Sequence, residues 1–335
     1  MECSSCRLIV ERGAQQDPCP WSLRDFPSLP EQSAYAEASA DKVIVHNPHD
    51  WIRPVLDVHR STSFRKALLP MTVIGLLTAA IVFAEVRWLK LPETHPLKNI
   101  TVVHTLLGFA ISMLLVFRTN TAYDRWWEGR KLWGALVNTS RNLAVKVAVY
   151  LRPEDTEGRA LFAKLIALFA AELRDHLLRE RTRLELDDAP HPELPPIDRE
   201  KHVPAQVVYA MQQRIQRLYR EQAISGEQLI VLSTDINAFL DICGACERIK
   251  NTPIPFSYSS FIKKFIVLYT LTLPMGFAFS LGWWAVPAVM FIFYVLASLE
   301  LIAEEIEDPF SGDENDVPMR KISEAIDRNV KEILA

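Results

Sequence analysis

The feature that most constrains this chain is an uncharged apolar run that continues directly into a charged helical segment. The run from 99 to 117, NITVVHTLLGFAISMLLVF, contains no Asp, Glu, Lys or Arg. At about 1.5 Å of rise per residue, a helix of this length approaches the roughly 30 Å thickness of a bilayer core. Arg118, Asp124 and Arg125 then follow, and no proline interrupts the pattern up to Lys131. We therefore expect one helix that leaves the lipid and continues into water.

Two other blocks of the chain also lack charged residues. One runs from 67 to 84, and the other runs from 265 to 299, which is too long for a single crossing. Gly282 and Pro287 would divide the longer block into two helices, and the two Trp residues after Gly282 suit a membrane interface. The sequence therefore predicts an all-α membrane protein with four transmembrane helices per subunit, at about 67–86, 99–117, 262–281 and 285–303.

The distribution of Lys and Arg predicts how the chain is oriented. Basic residues precede the first crossing, follow the second and precede the third. The positive-inside rule then places the region of about 118–261 in the cytosol and, with four crossings, both termini on the same side of a bacterial inner membrane. The formal net charge of −4 gives no indication of a nucleic-acid partner.

The segment outside the membrane shows helical periodicity and no β alternation. It contains no Gly-rich phosphate loop and no Ser/His/Asp arrangement that we can place, so we do not expect an enzyme. Residues 1–42 have no sustained period, and we expect them to be disordered. The remaining 43–334 form the predicted channel-like domain.

Several Cys and His residues could suggest a metal or a redox site. Cys3, Cys6 and Cys19 lack a fourth ligand at zinc spacing, so we expect free thiols. In the helical pattern around the second C-x-x-C we expect packing of small residues and no redox motif. An interfacial role is favoured over a metal site for the remaining group, which consists of His46, His49, Asp50 and His59.

One face of the helix at 99–117 can be followed in steps of four residues. It carries Thr101, Thr105, Phe109, Met113 and Phe117, which lie one above the other on a helix. The apolar members are either packing residues or a hydrophobic constriction repeated around a symmetry axis, which would gate ions by dewetting. Small residues beside this ladder would let neighbouring helices approach closely: Gly108, Ala110 and Ser112.

Three separated motifs carry a resemblance to a known family. They are FRTNTAYDRWWEGRKLWG from Phe117, CERIKNTPIPFSY from Cys246 and AEEIEDPF from Ala303. In this order they resemble the bacterial branch of the bestrophin family, over about 43–334. The resemblance implies a homopentameric ion channel with four crossings per subunit and a long central pore. Animal relatives conduct anions and are opened by calcium, whereas characterised bacterial relatives conduct cations.

The resemblance also implies where the pore is narrow. It places the hydrophobic neck on Phe109, Met113 and Phe117, and the outer pore would be lined by Thr101, His104 and Thr105. At the cytosolic aperture, where family members usually carry one apolar residue, the alignment reaches Glu227. A shift of about one helical turn would instead place Ile224 or Ile230 there and leave Glu227 as an acid in the first turn of a helix.

The calcium clasp of animal relatives lies just after the Pro-Phe motif. In this chain Asp313 and Asp316 lie in the matching stretch and Asp308 directly precedes Pro309. Oxygen-rich loops of this kind suit calcium. An acidic loop that is simply solvated is the alternative. We expect no other cofactor and no certain metal site.

The resulting hypothesis is a pentamer that conducts monovalent ions through an apolar neck. We expect the pentamer to be cation-selective, because a ring of Glu227 carboxylates would attract cations. The alternative is an anion-selective channel, which Arg118 and Arg125 would support if they face the vestibule. More remote alternatives are a helical scaffold or a membrane-bound enzyme, for which the group around His46 and His49 is the only candidate site.

Overall fold

The computed structural model describes residues 62–89, 100–182 and 202–335, with the exception of 314. The described residues form α-helices joined by short turns and contain no β-strand, which confirms the all-helical prediction. Nine α-helices are numbered in chain order: α1 (Thr62–Ala84), α2 (Ile100–Tyr150), α3 (Thr156–Thr182), α4 (Val203–Arg220), α5 (Gly226–Asn251), α6 (Phe256–Thr272), α7 (Pro274–Leu281), α8 (Ala285–Glu307) and α9 (Met319–Leu334). The predictions for 1–42, for Cys3, Cys6 and Cys19, and for the group of His46, His49, Asp50 and His59 lie outside the described residues.

Helix α2 contributes side chains to both of the large apolar clusters in the described chain. It contains 51 residues, which corresponds to about 76 Å at the usual helical rise. Near its start Ile111 and Leu115 pack in one apolar cluster with side chains of α1, α6 and α8. Beyond the charged segment Trp133 and Leu136 belong to a second and larger cluster. The predicted helix that leaves one environment and enters another is therefore continuous.

The second cluster packs the helices of the predicted cytosolic region. Phe169 of α3 meets Phe239 of α5 edge to face, with ring centroids 4.9 Å apart. Helix α9 adds Ile326 and Val330 from its apolar face, and both are buried. The regular spacing of buried residues on α9 explains why this helix, which is charged on its other face, docks here.

Five helical stretches of the described chain are long and apolar enough to cross a membrane, one more than predicted. They are Phe64–Trp88, Ile100–Tyr150, Gly226–Asn251, Phe256–Ala278 and Gly282–Glu307. The additional stretch is α5, whose buried Leu232, Ile236 and Phe239 belong to the second cluster together with residues of α3, α4 and α9. Because α5 packs among these charged helices, it does not add to the predicted crossings, and four crossings per subunit stay a prediction.

The two predicted crossings at 262–281 and 285–303 each differ in detail from the helices. The first begins earlier, at Phe256, and is divided at Pro274, where α6 ends and α7 begins. The turn between the two crossings falls at Gly282, as predicted, and Gly282 adopts a φ of +53° that residues with a side chain rarely take.

Candidate functional site

One face of α2 is apolar and is not covered by the other residues that the structure describes. Phe109, Met113 and Phe117 are 69%, 43% and 57% exposed. The opposite face carries Ile111 and Leu115, which are 1% and 2% exposed. The four-residue spacing therefore does place the three predicted neck residues together on an open face. Their role as a constriction depends on neighbouring subunits and stays a prediction.

The predicted outer-pore residues do not all share this face. Thr105 is exposed, and its hydroxyl donates to the carbonyl of Thr101 at 2.9 Å. His104 instead points into the chain, with 5% exposure, and its Nε2 lies 3.0 Å from the hydroxyl of Thr272 on α6. The prediction for His104 is corrected, because one residue of helix rotates a side chain by about 100° and turns this ring toward α6.

Gly108 allows α2 and α6 to approach closely. A Cβ atom at this position would lie 2.7 Å from the hydroxyl oxygen of Tyr269. Of the small residues noted beside the ladder, Gly108 thus serves contact within the chain, whereas Ala110 and Ser112 are exposed. Small residues on membrane helices permit such approaches because backbones can then pack against side chains of the next helix.

A buried ion cluster lies where α2 leaves the predicted membrane region. The Nη2 of Arg118 donates to Oε2 of Glu307 at 2.7 Å, and its Nε lies 3.7 Å from Oε2 of Glu300. The side chains of Arg118 and Glu300 are 1% and 3% exposed. Sequence reasoning missed Glu300, because this residue appears only as the first charge after a long apolar run.

Arg125 ties the same point of α2 to two other segments. Its guanidinium donates to the carbonyls of Ile249, Thr252 and Glu307 at 2.6, 2.6 and 2.9 Å. Oε1 of the Glu307 side chain accepts a hydrogen bond from the backbone N–H of Ile254 at 2.7 Å. The three motifs that carry the family resemblance therefore contact one another at this point of the fold, although they are far apart in the sequence.

The placement of these two arginines bears on ion selectivity. Arg118 is paired with carboxylates inside the chain, and Arg125 is bonded to backbone carbonyls. Arg118 and Arg125 would support the anion-selective alternative if they faced the vestibule. Arg118 does not face it, because its side chain is buried inside the chain. Arg118 therefore gives no support to the anion-selective alternative.

The candidates for the cytosolic aperture are separated by their exposure. Ile224 is 5% exposed and belongs to the second cluster, so its prediction as an aperture residue is corrected. Ile230 is 69% exposed. Glu227 is also exposed, in the first turn of α5, where the hydroxyl of Ser225 donates to its Oε2 at 2.7 Å. Both surviving candidates lie on the open side of α5, and the aperture itself stays a prediction.

The acidic loop between α8 and α9 is held together by one carboxylate. Oδ2 of Asp316 accepts from the hydroxyl of Ser311 at 2.6 Å and from the backbone N–H groups of Gly312 and Asp313 at 2.6 and 2.9 Å. Burial raises the pKa of Asp316 to about 6, although these hydrogen bonds favour the charged form. Asp308 accepts from the N–H of Phe310 at 3.2 Å. The calcium clasp stays a prediction, and part of its carboxylate capacity already serves the loop.

One further group of side chains comes together without any signal in the sequence. His176, His202 and Glu247 lie on or beside three different helices, with their nearest ligand atoms all within 4.8 Å of one another. Their separations along the chain match no short metal-binding spacing. Only the packing of α3, α4 and α5 reveals this group.

The chain is similar to known proteins over most of its length. The family model described as bacterial/fungal bestrophin protein matches residues 42–332. A Nostoc relative named a voltage-dependent anion channel-forming protein is 35% identical, over 73% of this chain and 80% of the relative. An Escherichia coli relative with the same descriptive name is 31% identical, over 85% of this chain and 92% of the relative.

Solved structures show the same fold. A bacterial bestrophin homologue from Klebsiella pneumoniae, solved as a mutant, superposes with a TM-score of 0.69 at 23% identity, covering 81% of this chain and 99% of that one. This likeness concerns the arrangement of helices, and the family match concerns the sequence. Together they confirm the resemblance drawn from the three motifs, and the chain belongs to the bestrophin family.

Proposed function

We propose that this chain forms a homopentameric channel that conducts small ions, with a preference for anions, across a bacterial inner membrane. The observation that carries the proposal is the similarity to relatives named voltage-dependent anion channel-forming proteins, at 35% identity over 73% of the chain. The open apolar face of α2 supports it, since a symmetric assembly would place that face around an axis.

In the proposed mechanism the pore wall is α2. Ions enter past Thr101 and Thr105, whose hydroxyl groups can replace part of a hydration shell, and pass rings of Phe109, Met113 and Phe117. Apolar rings conduct while they are wide enough to hold water and block when they dewet. Passage requires no covalent step.

A second candidate, a cation-selective channel, is favoured by one observation. Glu227 is an exposed carboxylate at the start of α5, at the position to which the family's aperture aligns. Five such carboxylates around a narrow mouth would raise the local concentration of cations. The two candidates differ in the sign of the charge on the preferred ion.

Reversal potentials in planar bilayers separate these candidates. Across a tenfold KCl gradient, ideal selectivity gives a reversal potential of about 59 mV, with opposite signs for anions and cations. We expect a reversal on the chloride side, with Glu227→Gln displacing it further in that direction and the matched Glu221→Gln leaving it in place. A reversal at the potassium potential would refute the anion preference.

The assembly is tested separately, by native mass spectrometry of the protein in detergent. The expected mass is five times that of the 38.2 kDa chain. Monomers or dimers would instead favour the scaffold alternative, because a central pore requires a closed ring of subunits.

A further inference from the structure

Two imidazole rings and a carboxylate from separate helices converge on a single point of the predicted cytosolic region. The Nε2 of His176, on α3, lies 2.7 Å from Oε1 of Glu247 on α5. The Nε2 of His202, which precedes α4, lies 2.7 Å from the same oxygen. The two rings are 4.7 Å apart between centroids. Three backbone segments thus present two nitrogen ligands and one oxygen ligand to a common volume.

The three side chains of this group are partly buried and partly accessible to solvent. Those of His176, Glu247 and His202 are 22%, 26% and 39% exposed. An ion can therefore reach the group from the solvent, and partial burial limits competition from water. A chance meeting of exposed acids would offer only oxygen ligands, whereas two imidazoles with one carboxylate are a donor set that first-row divalent metals prefer.

We propose that His176, His202 and Glu247 form a binding site for a first-row divalent transition metal ion, with zinc as the best match. Two His and one Glu supply three of the four ligands of a tetrahedral zinc ion and leave one position for water. Ligand bonds of about 2.0–2.1 Å place neighbouring ligand atoms about 3.3 Å apart. The two His–Glu separations of 2.7 Å would have to widen by roughly 0.6 Å to reach this spacing.

The hydrogen bonds of His202 define a cost of binding. Its Nδ1 accepts from the backbone N–H of Ala205 at 3.1 Å, which caps α4 and requires the ring proton to be on Nε2. A metal on Nε2 requires the proton to move to Nδ1, so the cap bond is given up while the ring stays neutral. Pro204 already lies at the first turn of α4 and has no N–H that needs a cap. Metal binding is thus coupled to the start of α4.

The occupied site would join α3, α4 and α5. The chain between the first two of these helices, 183–201, leaves α3 shortly after His176 and returns to α4 at His202. A bound ion would fix both ends of that connection to Glu247. Binding to the folded state alone raises stability with ligand concentration, so the melting temperature supplies a readout independent of ion conduction.

The test is a titration of the full chain, purified with a tag that contains no histidine and freed of metal with a chelator. Cobalt(II) is the probe, because its visible absorption reports a tetrahedral site that zinc should then bleach. We expect the signal to saturate with one ion per chain and the melting temperature to rise. Glu247→Gln and His202→Asn should each weaken binding at least about tenfold, since even loss of an outer-shell partner costs 10–100-fold.

The controls keep folding and background binding apart from the site. Asparagine is a good N-cap residue, so His202→Asn removes the ligand while preserving the start of α4. Glu128→Gln is the matched charge control, because Glu128 pairs with Arg248 beside Glu247 and supplies no ligand. Cys243, whose Sγ lies 3.9 Å from Nε2 of His202, is retained in the parent and in all variants. Titration curves for Glu247→Gln and His202→Asn that coincide with the parent curve would overturn the proposal.

Discussion

Replacing Arg118 with Met tests whether the buried ion cluster stabilises the junction between the two halves of α2. The substitution leaves the carboxylates of Glu307 and Glu300 inside the chain without the cation that lies 2.7 and 3.7 Å away. Breaking a buried pair in this way costs about 3–5 kcal/mol. With an unfolding entropy of about 2.1 cal/mol/K per residue, a chain of this length should lose roughly 4–7 °C in melting temperature.

The matched control is an ion pair with the same contact distance on the surface. Arg248 and Glu128 also approach to 2.7 Å, but their side chains are 66% and 43% exposed. Because exposed pairs contribute about 0–1 kcal/mol, Arg248→Met should lower the melting temperature by no more than about 1.5 °C. The assay is fluorescence-detected size-exclusion chromatography of heated samples in detergent. Equal shifts for the two variants would show that burial does not determine the cost.

Four further predictions concern the pore face, a helix contact and the acidic loop. Phe109→Ala should increase single-channel conductance, because the smaller side chain would widen the predicted neck. The control Leu76→Ala, on the exposed surface of α1, should leave the conductance unchanged. Unchanged currents for both variants would contradict the neck assignment. Gly108→Val should destabilise the chain, because its side chain would overlap Tyr269, and a melting temperature equal to the parent's would exclude this contact. The pKa of Asp316 is raised to about 6 from the ordinary 3.8. Between pH 3.8 and pH 6 the folded state therefore binds a proton that the unfolded state has released. The stability that this proton contributes is lost as the pH rises through 6. On going from pH 5 to pH 7.5, Asp316→Asn should therefore become more stable relative to the parent by about 1.4 kcal/mol, which a comparison of melting temperatures at the two pH values measures. Calcium titrations of conductance with Asp316→Ala test the clasp, and identical responses of variant and parent would remove it.

The parts of the fold that the sequence predicted are those governed by local patterns. An uncharged run followed by a charged helical segment can be recognised from the sequence alone, and α2 indeed continues from Ile100 to Tyr150. The step of four residues placed Phe109, Met113 and Phe117 on a common face for the same reason. Gly282 likewise marked the turn between α7 and α8, whereas the interruption at Pro274 was not predicted.

The parts that sequence reasoning missed depend on which neighbour covers a face. His104 is polar and close to the ladder, yet a rotation of one residue turns it to Thr272 on α6. Ile224 is apolar and near the expected aperture, yet the second cluster covers it. The meeting of His176 with His202 requires the packing of α3 against α4, which no periodicity reports.

The position of Arg118 links stability to the proposed pore. Phe117 is 57% exposed and Arg118 is 1% exposed, although they are consecutive residues on one helix. The ion pair with Glu307 is thus one of the contacts that hold the rotation of α2 about its axis near Phe117, the last of the predicted neck residues. Loss of this pair should let α2 rotate and should change conductance together with melting temperature, whereas Arg248→Met should change neither. If Arg118→Met lowers the melting temperature and leaves single-channel conductance unaltered, the orientation of the neck is set by other contacts.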